Sequence, residues 1–194
     1  MNNICVFCGS SDGVSPVYTE SARQLGNELV RRNIGLVYGA GHLGLMGTIA
    51  KTVANQGGKV LGIIPTALSR FGNGLNMIGE TIEVKDMHSR KKLMADRSDA
   101  FIALPGGYGT FEELLETITW SQLNIHSKPI GILNTNGFYT HLIAMIDHAV
   151  AEGFIRPQQR SLVIVHEDPV KLLDALASYT KTQVSDFKLD WSSA

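Results

Sequence analysis

The sequence predicts a Rossmann-like, doubly wound α/β fold, a parallel sheet with helices on both faces. Three observations carry that expectation. Short β-branched runs alternate with amphipathic helical stretches from one end of the chain to the other. The strand-like runs are continuously apolar rather than alternating, as strands covered on both faces are. The runs give way to glycines, prolines or small hydroxyl residues, the punctuation between a strand and a helix.

Taken in order, Asn3–Phe7 reads as the first strand, ended by the small, polar CGSSDG. Ser15 and Pro16 start a helix reaching about Arg32, with proline at the first helical position. Ile34–Tyr38 and Lys59–Ile64 are the second and third strands, the latter stopped by Pro65, with a helix over Leu43–Gln56 between them. A long polar loop, Thr66–Gly79, follows, and loops of that length more often serve a function than idle. Then come a short strand near Thr81–Val84, a helix from Asp86 to about Arg97 and a strand at Ala100–Leu104. A helix reaching about Asn124, a strand at Pro129–Leu133, a helix over Phe138–Glu152, a strand at Leu162–His166 and a helix from Pro169 to about Tyr179 complete the pattern. The tail from 180 to 194 is polar and weakly patterned.

At 194 residues, one domain spanning 1–194 is expected. With 17 basic and 18 acidic residues the net charge is −1, and no basic block suggests nucleic acid. No apolar run approaches the roughly 20 residues of a membrane span, and MNNICVFCGSS lacks the basic start and apolar core of a signal peptide, so a cytoplasmic protein is expected. Cys5 and Cys8 form a CxxC, but inside a strand rather than opening a helix, and the six histidines have no metal-site spacing. Buried or half-buried free thiols are the expectation, with no metal and no cofactor.

In this fold class, ligands sit at the carboxyl ends of the strands. Four loops gather there: the CGSS stretch containing Ser10, YGAGHLGLMG with Gly41 and Met46, the long loop, and LPGGYGT. Their glycines and hydroxyls suit a phosphorylated ligand. Gly39, Gly41 and Gly44 make a GxGxxG, yet the next strand ends in Gly62–Ile63–Ile64–Pro65 with no carboxylate to hold a ribose until Glu80. A mononucleotide therefore fits better than a dinucleotide.

Ala103–Glu113, ALPGGYGTFEE, is the most informative stretch. Pro105, Gly106, Gly107, Tyr108, Gly109 and Thr110 look like a phosphate cradle at a helix start, where glycines let backbone approach a ligand and the helix directs N–H groups at it. The plainer alternative is a tight turn with Thr110 capping the helix and Glu113 closing a capping box. In the preceding helix, Lys92, Asp96 and His88 read as a solvated face. Arg90 and Lys91 instead share the side of Met87 and Met94, and are either snorkelling at the edge of an apolar stripe or aimed into a site. In the later helix, Phe111, Leu114, Leu115 and Ile118 are expected to face the sheet. Trp120 and Leu123 lie nearly opposite, on the arc of Glu113 and Glu116, covered by a second copy of the chain or by a neighbouring helix.

These residues carry a family resemblance. SRKKLM followed by PGGYGTFEE, with CVFCGSS and YGAGHLGLMG upstream and ITWSQLNIHSKPIGILN downstream, resembles the LONELY GUY (LOG) family of cytokinin riboside 5′-monophosphate phosphoribohydrolases, also labelled lysine decarboxylases. The resemblance runs from about Ile4 to Leu176. It implies a Rossmann-like homodimer, with the site near the interface, that hydrolyses the N-glycosidic bond of adenosine-type 5′-monophosphates to free base and ribose 5-phosphate. It puts the catalytic arginine on Arg90, the catalytic glutamate on Glu113, Lys91 beside them, and the phosphate at Pro105–Thr110. A base pocket would draw on Met46, Met87 and the long loop. Nothing marks a lysine as a pyridoxal phosphate anchor, so the decarboxylase label has no chemical support. Cleavage passes through an oxocarbenium-like sugar that a carboxylate such as Glu113 can stabilise, or for which it can position water. Arg90, always charged, is expected to orient Glu113 or the ribose, or to polarise the leaving base. The rival from another class is a non-catalytic nucleotide-binding or carrier module using the same loops; a phosphotransferase lacks its GxxxxGK[ST].

Overall fold

The computed structural model describes residues 1–69 and 77–180. It contains a seven-stranded sheet in the order β4-β3-β2-β1-β5-β6-β7, with every adjacent pair parallel. The strands are β1 (Asn3–Phe7), β2 (Gly35–Tyr38), β3 (Val60–Pro65), β4 (Glu80–Val84), β5 (Ala100–Ala103), β6 (Ile130–Leu133) and β7 (Val163–His166). The helices are α1 (Pro16–Arg31), α2 (Gly44–Asn55), the single turn α3 (Thr66–Ser69), α4 (Met87–Asp96), α5 (Tyr108–Gln122), α6 (Thr140–Ala151) and α7 (Pro169–Ser178). The doubly wound parallel sheet is thus present, with each sequence-read element in its place to within a few residues.

The alternation within β1 builds the two layers. Ile4 and Val6 enter a core with Ala22, Leu25 and Leu29 of α1, Leu45, Ile49 and Val53 of α2, and Leu172, Leu173 and Leu176 of α7. Cys5 and Phe7 enter the opposite core with Met94 and Ala95 of α4 and Leu114 of α5. Both faces of the central sheet are therefore covered, which is why β1, β2, β3, β5 and β6 show no polar alternation, whereas the edge strand β4, ETIEV, exposes its glutamates.

Several details differ from the sequence reading. Pro65 is the last residue of β3, paired with Val84, rather than lying beyond it. The stretch read as one long loop begins with the turn α3; its residues 70–76 and the tail 181–194 fall outside the described residues. A 3-10 turn at Thr135–Gly137, with Asn136 at φ 52°, delays α6 to Thr140. There the Asn134 side-chain oxygen accepts the Tyr139 N–H at 2.7 Å. A second 3-10 segment, Pro157–Leu162, precedes β7.

The chain lays down β1 to β4 outward in one direction, then returns to place β5 on the free side of β1. That reversal opens a crevice between the loops leaving β1 and β5, where this fold class takes its ligands.

Candidate active site

The crevice is fastened by backbone hydrogen bonds at the switch point. Leu104 N–H donates to the Phe7 carbonyl at 2.9 Å, Gly9 N–H to the Pro105 carbonyl at 3.0 Å, and Met46 N–H to the Gly9 carbonyl at 3.2 Å. The Tyr139 hydroxyl, fully buried, donates to the Leu104 carbonyl at 2.7 Å, holding the residue before Pro105 from behind. A cleft of about 300 Å³ results, lined by Ser10, Asp12, Tyr18, Gly106, Gly107 and Phe138 among others.

Two helices begin at this crevice without a side-chain cap: α2 after Leu43 and α5 after Gly107. By contrast α1, α4 and α7 are capped by Ser15, Asp86 and Asp168. First-turn N–H groups without a side-chain partner suit an anion. The capping box proposed for Thr110 and Glu113 is not formed. Gly107, extended at φ −100° and ψ −155°, is the N-cap, Thr110 is already the third helical residue, and Glu113 lies in the second turn.

The three glycines of PGGYGT differ in what they do, and none needs a left-handed backbone. A Cβ on Gly106 would lie 2.1 Å from Thr110 Oγ1 and 2.9 Å from Gly9 N, so glycine there lets the two loops meet. A Cβ on Gly107 or Gly109 would touch nothing within 4 Å. In the β2 loop, a Cβ on Gly39 would lie 1.9 Å from Arg90 Nη2, and one on Gly41 would lie 2.7 Å from Met46 Cε. Gly44, at φ 60°, packs under the backbone of Ser10 and Ser11. Ala40, between Gly39 and Gly41, is buried at φ 58°, a left-handed conformation uncommon for a side-chain-bearing residue.

Arg90 and Glu113 are brought together. Both are buried, and Arg90 Nη1 lies 3.7 Å from Glu113 Oε1. Arg90 Nη2 donates to the Gly39 carbonyl at 3.4 Å, and its Nη1 lies 3.8 Å from the Met87 sulfur. Its Nε is buried with no hydrogen-bond partner among the described residues, an unsatisfied donor of the kind that calls for an explanation. Burial pushes the Glu113 carboxyl above the usual glutamate range; Arg90 pulls it back, while Glu112 pushes it up again. These two residues are not among those lining the 300 Å³ cleft.

The remaining expected residues divide. Ser10, Pro105, Gly106 and Gly107 line the cleft, and Thr110 is buried behind Gly106. Gly41 and Met46 pack on one another beside Arg90, while Tyr108 is 92% exposed at the first position of α5. Lys91 directs its ammonium to Glu112 and Glu116. Cys5 and Cys8 are buried free thiols, and burial raises the pKa of each.

Sequence reasoning missed Asp12, Tyr18 and Phe138 in the cleft. On the inner face of α5, Leu114, Phe111 and Ile118 pack on the core as expected, but Leu115 does not and Glu113 does. Leu115 is 44% exposed, whereas Thr110, Glu113, Leu114, Thr117 and Ser121 are the buried stripe. The signal was present as hydroxyl residues at helical spacing around one glutamate, but an apolar count passes over it. Trp120 is half-buried against the core cluster that includes Ala95.

Comparison with known proteins adds a separate line of support. A family model described as “Possible lysine decarboxylase” matches residues 46–176. The chain is similar to the cytokinin riboside 5′-monophosphate phosphoribohydrolase LOG7 of Arabidopsis thaliana, 54% identical over 176 residues, 91% of this chain and 81% of that protein. It is also similar to the probable cytokinin riboside 5′-monophosphate phosphoribohydrolase LOGL2 of Oryza sativa subsp. japonica, 52% identical over 177 residues, 91% of this chain and 72% of that one. Among solved structures, the molybdenum cofactor carrier protein of Chlamydomonas reinhardtii superposes with a TM-score of 0.68 at 19% identity, covering 90% of this chain and 95% of that chain. The molybdenum cofactor binding protein of Rippkaea orientalis gives 0.68 at 20% identity, covering 91% and 95%. At those identities the structural likeness is one of fold alone.

Proposed function

The chain belongs to the family of cytokinin riboside 5′-monophosphate phosphoribohydrolases, and from that premise we propose that it hydrolyses the N-glycosidic bond of N6-prenylated adenosine 5′-monophosphates or of AMP. Water supplies the new C1′ hydroxyl and the proton taken up by the departing base, so the products are free base and ribose 5-phosphate. The observation that carries the reading is the buried Arg90–Glu113 pair at the strand ends beside two helix starts that lack side-chain caps.

The residues divide the work as follows. Gly106, Gly107 and the first-turn N–H groups of α5 receive the 5′-phosphate, with Ser10 on the facing loop; fixing the sugar there converts binding energy into alignment. Glu113 faces the ribose, where its carboxylate offsets the positive charge that develops at C1′ or orients the attacking water. Burial makes that charge more effective, because little solvent screens it. Arg90 is a poor proton donor. It orients Glu113, and its unpartnered Nε is a donor for the ribose or the leaving base. Met46 and Met87, packed around Gly41 and Arg90, form the adaptable apolar wall expected for a base.

A homodimer completes the reading. None of the residues of α6 is buried although its sequence is THLIAMIDHAVA, Met145 is 62% exposed, and Leu115 on α5 is also exposed. Exposed apolar residues of this kind fit a self-complementary interface. On this proposal the interface centres on α6 and Leu115 rather than on the Trp120 arc. The free thiols fit a reducing compartment, which supports a cytoplasmic location; among the described residues no helix is long and apolar enough to cross a membrane.

The test is to incubate the protein with AMP and with isopentenyladenosine 5′-monophosphate and measure free base and ribose 5-phosphate. Release from either substrate is expected, with losses of at least about 100-fold in Glu113→Gln and Arg90→Ala, as for other positioned catalytic charges. Tight AMP binding without base release over long incubation would instead identify a carrier, and full activity in both variants would overturn the residue assignment.

A further inference from the structure

Glu113 is flanked along α5 by two more carboxylates, Glu112 and Glu116, a like-charge cluster that opposes ionisation of the buried member. A single cation meets both flanking groups. Lys91 Nζ lies 2.5 Å from Glu112 Oε1 and 3.0 Å from Glu116 Oε1, and its side chain is only 12% exposed although it begins on α4. Lys91 is the next residue after Arg90, and Glu112 the residue before Glu113. The bridge therefore joins α4 to α5 one position from the residues those helices deliver to the site.

We propose that Lys91 is a positioning residue: by pairing with Glu112 and Glu116 it clamps α4 to α5 at the Arg90–Glu113 register and keeps the two flanking charges from suppressing the charge on Glu113. The proposal rests on the hydrolase reading above, and it assigns Lys91 an action through Glu113 rather than on the substrate. The groups facing Glu113 are Arg90 and Lys91 from α4, Glu112 and Glu116 on its own helix, and Cys5 and Cys8 from the β1 side. Both thiols are pushed up by burial and stay neutral over the working range, so the balance near Glu113 is set by the two cations and the two flanking carboxylates. Against partial desolvation, which would lower it, the hydrogen bonds that Lys91 donates to Glu112 and Glu116 carry its pKa above the ordinary value, so it too keeps its charge.

The geometry leads to a result that a merely structural salt bridge would not give. In Lys91→Met the two carboxylates lose their counter-charge, and the acid limb of the kcat/KM profile, which follows ionisation of Glu113, moves up by about one pH unit. Lys91→Arg restores part of the shift. Adding Glu112→Gln and Glu116→Gln to Lys91→Met removes the charges that needed neutralising and returns the limb to its wild-type position. A readout independent of turnover is the ¹³C-carboxyl resonance of Glu113 in glutamate-labelled protein, assigned by its loss in Glu113→Gln. Its titration midpoint shifts in the same order across the series. An unmoved limb and midpoint in Lys91→Met, or a loss confined to KM that the double glutamine change does not reverse, overturns the proposal. Absence of hydrolysis in the wild type overturns the hydrolase reading alone, since the carboxyl titration still tests Lys91.

Discussion

Gly106 and Gly107 are adjacent in sequence and both belong to the loop entering α5, yet their surroundings differ, and alanine at each separates a packing role from the proposed phosphate contact. At Gly106 the added methyl carbon would lie 2.7 Å from Thr110 Cβ and 2.9 Å from the Gly9 backbone nitrogen. Thr110 is buried and stiff at χ1, and Gly9 is tied to Pro105, so neither can swing aside. Overpacking of this kind costs about 1–3 kcal/mol. In a chain of this size each kcal/mol moves Tm by roughly 2–4 °C, so Gly106→Ala should melt about 2–12 °C below wild type. At Gly107 the methyl enters open space and φ is −100°, which alanine adopts readily. The weaker helix cap and the reduced unfolded-state entropy nearly offset, leaving Tm within about 2 °C. If phosphate approaches this backbone, the same methyl displaces it. Losing one charge-assisted N–H contact costs about 1.5–3 kcal/mol, which corresponds to a KM rise of roughly 10- to 150-fold. Differential scanning fluorimetry and initial-rate kinetics on the two variants suffice. An unchanged KM in Gly107→Ala refutes the phosphate role of this loop, and an unchanged Tm in Gly106→Ala refutes the packing argument.

Two further outcomes follow from the same structure. Because burial raises the folded-state pKa of Glu113, its ionised form costs stability at pH above that value, and the cost disappears as pH falls through the folded pKa to the ordinary glutamate range. Glu113→Gln should therefore unfold at higher denaturant concentration than wild type at neutral pH, with the advantage gone near pH ~4; equal midpoints at neutral pH would contradict the burial of a net-disfavoured charge. Met145→Lys places a charge on the exposed apolar face of α6, and light scattering should find this variant monomeric and the wild type dimeric. A dimer in both proteins, or a monomer in both, removes that face from the assembly.

Much of the fold is written locally. β1 runs over Asn3–Phe7 as read from its apolar run, and α1 opens at Pro16 after Ser15, as the proline at the first helical position and the hydroxyl before it require. Asp86 caps α4 by accepting the Ser89 N–H. These signals concern neighbours in the chain, so the sequence alone contains them. The family pattern is likewise local: RK in one segment and PGGYGTFEE in another.

What the sequence could not determine are the relations set by which surfaces meet. Reading α5 by its apolar residues put Leu115 inward and Glu113 on an outer arc, whereas packing against the sheet buries Glu113 with Thr117 and leaves Leu115 exposed. The helix follows the shape of the layer beneath it and the cation waiting there, and neither is encoded within its own fifteen residues. The partners of Lys91 depend in the same way on how α4 and α5 lie side by side. Tyr18, in the first turn of α1, and Phe138, after β6, meet in the cleft only because the chain reverses between β4 and β5 and sets β5 and β6 beside β1. The sequence thus determined the elements, the family and the candidate pair Arg90 and Glu113. Tertiary structure decided that the pair is buried 3.7 Å apart, because burial and distance are properties of packing between segments far apart in the chain.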